Sequence, residues 1–147
     1  MQNYTGKEVY NLKDEISNIT MKWENDLINC NAMFYDLSNI IRIDLPKFDS
    51  SKVFNMIGMF TSSYQLESLD LRNLDTSKVT SMVNMFSTCK LLTSLDLRSF
   101  DTSKVNDFSR MFMSCTSLIS LDLSNFKTPN LKNIGFMFFL LYSFNFN

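Results

Sequence analysis

The apolar and polar positions along this chain recur with a period. From Leu69 the segment LDLRNLDTSKVTSMVNMFSTCKLLTS is followed at Leu95 by LDLRSFDTSKVNDFSRMFMSCTSLIS. The same frame opens at Ile43 with IDLPKFDSSKVFNMIGMFTSSYQLES and at Leu121 with LDLSNFKTPNLKNIGFMFFLLYSFNF. The period is 26 residues through four copies, without insertion. A degenerate copy precedes them, in which Met33-Phe34 aligns with Met59-Phe60 and Leu27 with Val53. A fixed period of this size makes each copy one structural turn, too small to bury its apolar face alone and covered by its neighbours.

Stacking such copies sorts equivalent residues into columns. Leu66, Leu92 and Leu118 form one apolar column, and Leu71, Leu97 and Leu123 another. Val53, Val79, Val105 and Leu131 form a third, Met56, Met82, Phe108 and Ile134 a fourth. The Met-Phe pairs at 59, 85, 111 and 137 supply bulk, so the abundant methionine reads as core filler and not as ligands for a cofactor. Within a copy, Leu69-Asp70-Leu71 alternates as a strand does. Val79, Met82, Met85 and Phe86 recur at three and four residues, which predicts a short α or 3₁₀ return. The expected fold class is an α/β repeat solenoid: a right-handed coil with a parallel sheet on one face and short helical returns on the other.

Residues 1–26 lose the consensus and read as an N-terminal cap, as a stacked array requires. The array then runs through 27–42 (partial), 43–68, 69–94, 95–120 and 121–146. The last copy replaces Thr61, Ser62 and Ser63 by Phe139, Leu140 and Leu141, and no polar cap follows it. The expectation there is either further repeats beyond this sequence or closure of the apolar end by a partner or a second copy.

The pattern LxxLDLxxFDTSKVxxMxxMFxxC, spanning about residues 27 to 143, resembles the BspA-like leucine-rich repeats of surface proteins from bacteria and several unicellular eukaryotes. The resemblance implies a leucine-rich-repeat-like solenoid, cell-surface or secreted display, and adhesion or protein binding. The usual asparagine three residues after LxL is replaced here by Phe48, Leu74, Phe100 and Phe126, an aromatic spine in place of an asparagine ladder. No signal-peptide core is visible between Met1 and Ile16.

Composition narrows the function. With 14 Lys+Arg against 15 Asp+Glu the net charge is -1, which offers no basic footprint for nucleic acid. The chain contains no histidine, which excludes imidazole triads and imidazole metal sites. Its 3 glycines are too few for a glycine-rich phosphate loop. No apolar stretch reaches the ~20 residues of a transmembrane helix. Cys30, Cys89 and Cys115 have no close metal-ligand spacing and read as small apolar filler. An enzyme is not expected, because a catalytic site is a unique constellation and every polar grouping here is repeated. No cofactor or metal is expected.

Two surfaces remain as candidates. Residues pointing outward on the strands give a polar strip: Arg42, Asp44, Asp70, Arg72, Asp96, Arg98 and Asp122. Acids stacked at strand spacing repel, so the strip reads either as a place for a cationic group or Ca²⁺, or as acids satisfied by nearby Ser and Arg. The ligand expected is a protein or a glycan. The second surface is the apolar C-terminal end, with Phe136, Phe139, Leu140, Leu141, Phe144 and Phe146 available for self-association. A corner stripe pairs Asp49, Asp75 and Asp101 with Lys52, Lys78 and Lys104 three residues on. Between them the hydroxyls of Ser50, Thr76 and Thr102 are assigned to turns and caps.

Overall fold

A tier of this molecule is held to the next by its backbone amides, and the sequence repeat is the register of those bonds. The computed structural model describes residues 27–45 and 47–142; the expected N-terminal cap, Pro46, Phe144 and Phe146 lie outside the described residues. Two short strands, β1 (Arg42–Asp44) and β2 (Ser68–Asp70), pair in parallel, with Arg42 opposite Ser68, Ile43 opposite Leu69 and Asp44 opposite Asp70. Beyond β2 the same face carries only scattered bonds, such as Ile119 N–H to the Thr93 carbonyl at 3.1 Å. On the opposite side a second parallel ladder runs the length of the stack through single bridges linking Asn29, Asn55, Ser81, Asp107 and Asn133.

The return expected to be helical is not helical. Among the described residues there is no α or 3₁₀ helix, and the segment around Met82 to Cys89 is a chain of tight turns. Met85, Ser87 and Cys89 each donate to the carbonyl three residues back, on Met82, Asn84 and Phe86. The alternate amides leave the tier: those of Asn84, Phe86 and Thr88 donate to Ser109, Met111 and Met113 of the next copy at 3.0, 3.0 and 2.7 Å. An α-helix would consume every one of these N–H groups internally. Tier-to-tier bonding needs half of them, so the backbone alternates.

The alternation requires left-handed residues at fixed positions. Ala32, Gly58, Asn84, Arg110 and Phe136 form one column of positive φ, and Asp36, Ser62, Thr88, Ser114 and Leu140 form a second. All but Asp36 and Leu140 are the third residue of a turn closed by an i to i+3 bond, the position that a type II turn places at φ > 0. Asn84 and Gly58 are suited to it.

Inside, the apolar columns are buried as tiers cover one another. Val53, Val79 and Val105 are fully buried, as are Leu66, Leu92 and Leu118. The continuous aromatic feature is not the Phe48, Leu74, Phe100, Phe126 column, which Leu74 interrupts. It is the second residue of each Met-Phe pair: Phe34, Phe60, Phe86, Phe112 and Phe138 stack face to face with centroids 5.3, 5.6, 5.6 and 6.0 Å apart. Interplanar angles of 11°, 2°, 5° and 8° keep the rings nearly parallel. Identical residues at identical register stack offset, which suits ring quadrupoles.

Polar groups in this interior are satisfied across tiers. The Ser63 hydroxyl and the Cys89 and Cys115 thiols donate to the carbonyls of Phe34, Phe60 and Phe86 at 3.1, 3.2 and 3.0 Å. All three cysteines are free thiols. Burial pushes the thiols of Cys30 and Cys115 up to about 12 and that of Cys89 higher still. Ser50, Thr76 and Thr102 are buried too, and they do more than close a turn. Each hydroxyl reaches the neighbouring tier: Ser50 accepts the Asp75 N–H at 2.7 Å, and Thr102 accepts the Lys127 N–H at 2.8 Å while donating to the Lys127 carbonyl at 2.9 Å.

Candidate binding face

The strand columns place the candidate strip on one outer side, where the carboxylates of Asp44, Asp70 and Asp96 are each neutralised within their own tier. Arg42 Nε meets Asp44 Oδ2 at 2.8 Å. Arg72 grips Asp70 with two parallel bonds, Nε to Oδ1 at 3.0 Å and a terminal guanidinium nitrogen to Oδ2 at 2.7 Å. Arg98 repeats the grip on Asp96 at 2.9 and 2.7 Å. The two residues lie two apart on an extended segment, so their side chains share a face, and the planar fork matches a carboxylate.

The same carboxylates also organise the backbone. Asp70 and Asp96 accept the N–H of Arg72 and Arg98 at 3.1 Å, and Asp122 accepts that of Ser124 at 2.9 Å. The guanidinium, then the backbone N–H, hold the carboxyl groups of Asp70 and Asp96 down at about 2. Asp122 is lowered by Ser124 through its hydroxyl and N–H, with Arg98 assisting. The strip is therefore a row of fixed zwitterions and not a column of bare acids. The four-acid repulsion read from the sequence is quenched because each tier carries its own counter-charge, except in the last tier, where Ser124 stands in the arginine position. There a shallow, open depression of about 390 Å³ lies between tiers, lined by Ser94, Leu95, Asp96, Leu97, Arg98 and Asp122.

In the corner stripe Lys52 and Lys104 offset the charges of Asp49 and Asp101, and the carboxylates also hold the backbone. Asp49, Asp75 and Asp101 accept the backbone N–H of Ser51, Ser77 and Ser103 at 3.0, 2.9 and 2.9 Å. On the opposite ladder Asn29, Asn55, Asp107 and Asn133 close the same two-residue turn on Asn31, Ile57, Ser109 and Gly135. That second column was legible as Asn, Asn, Ser, Asp, Asn at 26-residue spacing, although sequence reasoning passed over it. Among the described residues no group of three or more acids or cysteines is placed to hold a metal ion.

At the far end the last tier leaves apolar surface open. Phe136, Phe139 and Leu140 are exposed, Leu141 is half-buried, and Met137 is buried. Leu131, Ile134 and Tyr142 are also exposed; the first two were absent from the sequence-based set because their columns are interior in earlier tiers, whereas Tyr142 continues the outer column of Tyr64, Lys90 and Thr116.

The molecule is thus a repeat protein, with one 26-residue unit laid on the next and a polar row along one side. The model of the DUF285 family, described as Mycoplasma protein of unknown function, matches residues 7–147, and the chain belongs to that family. No curated protein and no solved structure matches the chain.

Proposed function

We propose that this chain is a non-enzymatic binding or adhesion module, a leucine-rich-repeat-like solenoid whose outer strip contacts a protein or a glycan. One observation carries the reading: the forked pairs of Arg72 with Asp70 and Arg98 with Asp96 recur with the same geometry on successive tiers, while the guanidinium groups stay about three-quarters exposed. Such a row presents donors and acceptors that are already oriented, so a ligand pays little ordering entropy to meet them. Repeat proteins of this kind bind along extended faces. The expected setting is the cell surface, through the resemblance to BspA-like repeats.

The test is binding of the 147-residue chain to immobilised glycans and to purified surface proteins, with Arg72→Gln and Arg98→Gln as variants. These remove the outward guanidinium but keep the Asp turns. Loss of binding at unchanged thermal stability supports the strip as the contact. Binding that survives both substitutions overturns it.

A second reading is a structural segment or self-associating scaffold without a discrete ligand site. It is favoured by the exposure of Phe136, Phe139 and Leu140 at the open end. Sedimentation of the chain over a range of concentrations separates it from the first, since a monomer throughout removes its support.

A further inference from the structure

The fifth tier departs from its predecessors in a way that stacking does not require. At the two left-handed positions the fourth tier has Arg110 and Ser114, and the third has Asn84 and Thr88; the fifth has Phe136 and Leu140, with φ of 60° and 61°. Left-handed backbone disfavours bulky side chains, so these residues occupy positions where small or polar ones fit better. For Phe136 the exposure is not simply that of an end awaiting another layer, while Met113 and Ser114, one tier before Phe139 and Leu140, are half-buried. Arg110 holds the position of Phe136 one tier earlier and stays exposed although the fifth tier is hydrogen-bonded onto it. Phe136 therefore leaves the tier sideways. It is 60% exposed, with Phe139 at 49%, Leu140 at 38% and Tyr142 at 75% beside it in sequence. Leu131 and Ile134 are a different case, since Val105 and Phe108 in the same columns are buried by the next tier.

Charge indicates what this side meets. Asn133 stands where the fourth tier has Asp107 and is hydrogen-bonded to it at 3.3 Å, while Lys127, in the place of Asp49, Asp75 and Asp101, offsets the charge of Asp101 at the corner. Between residues 121 and 142 the one acid is Asp122, on the strand strip. The Arg110 guanidinium lies over the Phe136 ring, 5.6 Å from its centroid, and Phe136 meets Phe139 edge-on at 5.6 Å. A second copy packed symmetrically on Phe136 would set Arg110 against its own image. An anionic surface with an apolar interior accepts both the rings and the cations. Aromatic and leucine side chains flanked by Lys and Arg are suited to lodging at the headgroup level of a bilayer.

We propose that the side of the fifth tier formed by Phe136, Phe139, Leu140 and Tyr142 docks on an anionic lipid surface, with Arg110 and Lys132 at the headgroups. The contact is peripheral; among the described residues no helix is long and apolar enough to cross a membrane. It uses none of the strip residues, so this proposal and the binding-module reading stand or fall separately.

The test is flotation of the 147-residue chain with vesicles of phosphatidylcholine alone and of a two-to-one mixture of phosphatidylcholine and phosphatidylglycerol. The chain is expected to float with the mixed vesicles and far less with phosphatidylcholine alone. The Phe136→Asn, Leu140→Ser double variant, which restores the residue types of earlier tiers, is expected to lower partitioning by at least about tenfold. Its thermal midpoint should be unchanged or higher, because smaller residues suit the left-handed backbone. Tyr142→Ser, a change at a side chain that is 75% exposed, gives a second reading with little effect on folding. Lys132→Gln is expected to weaken binding roughly fivefold. The proposal is overturned if the chain stays with the soluble fraction in both mixtures, or if partitioning survives the double variant. A concentration-dependent dimer that the double variant dissolves, without vesicle binding, assigns the surface to a second copy and equally overturns it.

Discussion

Thr76 Oγ1 donates to the carbonyl of Asp101 at 3.0 Å and accepts the N–H of the same residue at 2.8 Å, so one buried hydroxyl satisfies both backbone groups of one residue in the next tier. Replacing it by the isosteric Thr76→Val keeps the volume and leaves both groups without that partner. The expected cost is about 2 kcal/mol, read from chemical unfolding. Thr76→Ser, which keeps the hydroxyl, should cost clearly less; a Thr76→Val chain as stable as the parent would show that the two hydrogen bonds contribute nothing.

The ring column predicts a gradient along the stack. Phe86 is fully buried between Phe60 and Phe112, and Phe86→Ala is expected to destabilise by about 3–5 kcal/mol. Phe138, half-buried in the last tier, should lose less on the same change. Comparable losses at both positions would show that the end ring is as enclosed as the middle one.

Left-handed backbone makes its own prediction at Gly58, where φ is +60° and a Cβ would stand 3.2 Å from Thr61 Oγ1. Gly58→Ala is expected to cost about 1–2 kcal/mol. Asn84→Gly, in the same column, should be close to neutral. A stabilising Gly58→Ala, seen in a thermal melt, would contradict the turn geometry.

The forked ion pairs set a direction for the pH dependence. Asp70 and Asp96 fall from an ordinary 3.8 to about 2 in the folded chain. A depressed folded value means that the unfolded state binds protons first on acidification. Their contribution is therefore complete above about pH 4 and is lost as pH falls toward 2. The pairs are solvent-exposed, so added salt should flatten the effect. Arg72→Gln with Arg98→Gln should remove most of this acid-limb slope in unfolding curves; an unaltered slope would assign it to other carboxylates.

The thiols offer a quick check of burial. With Cys30 and Cys115 pushed up to about 12 and Cys89 beyond, almost no thiolate exists near neutrality. Ellman's reagent should find no reactive cysteine in the native chain and three after denaturation. Cys89→Ser, which keeps a donor for the Phe60 carbonyl as Ser63 does for Phe34, should be tolerated better than Cys89→Ala.

How much of this could be read beforehand differs by level. The 26-residue period determined which residues meet, because a repeated apolar face is covered best by its own copy in the same register. Hence Val53 lies over Val79, Leu66 over Leu92 and Phe60 over Phe86, and Asp44 sits opposite Asp70. The column logic also marked the last copy as the place where interior chemistry reaches the surface.

Local conformation was not determined in this way. The three-and-four spacing of Val79, Met82, Met85 and Phe86 fits a helix and a chain of i to i+3 turns equally well. The tertiary structure chose turns, because alternate amides of each tier bond the next and a helix would have used them up. Nor did the sequence show that Thr76 would be buried against the next tier while Ser77 is half-buried. The extended backbone pairs Asp70 with Arg72 inside one tier, removing the repulsion that the bare column of acids implied everywhere but at Asp122. Registry follows from periodic apolar burial, which a sequence displays; the conformation within each copy follows from where its backbone hydrogen bonds go, which is decided only once a neighbouring tier is there to receive them.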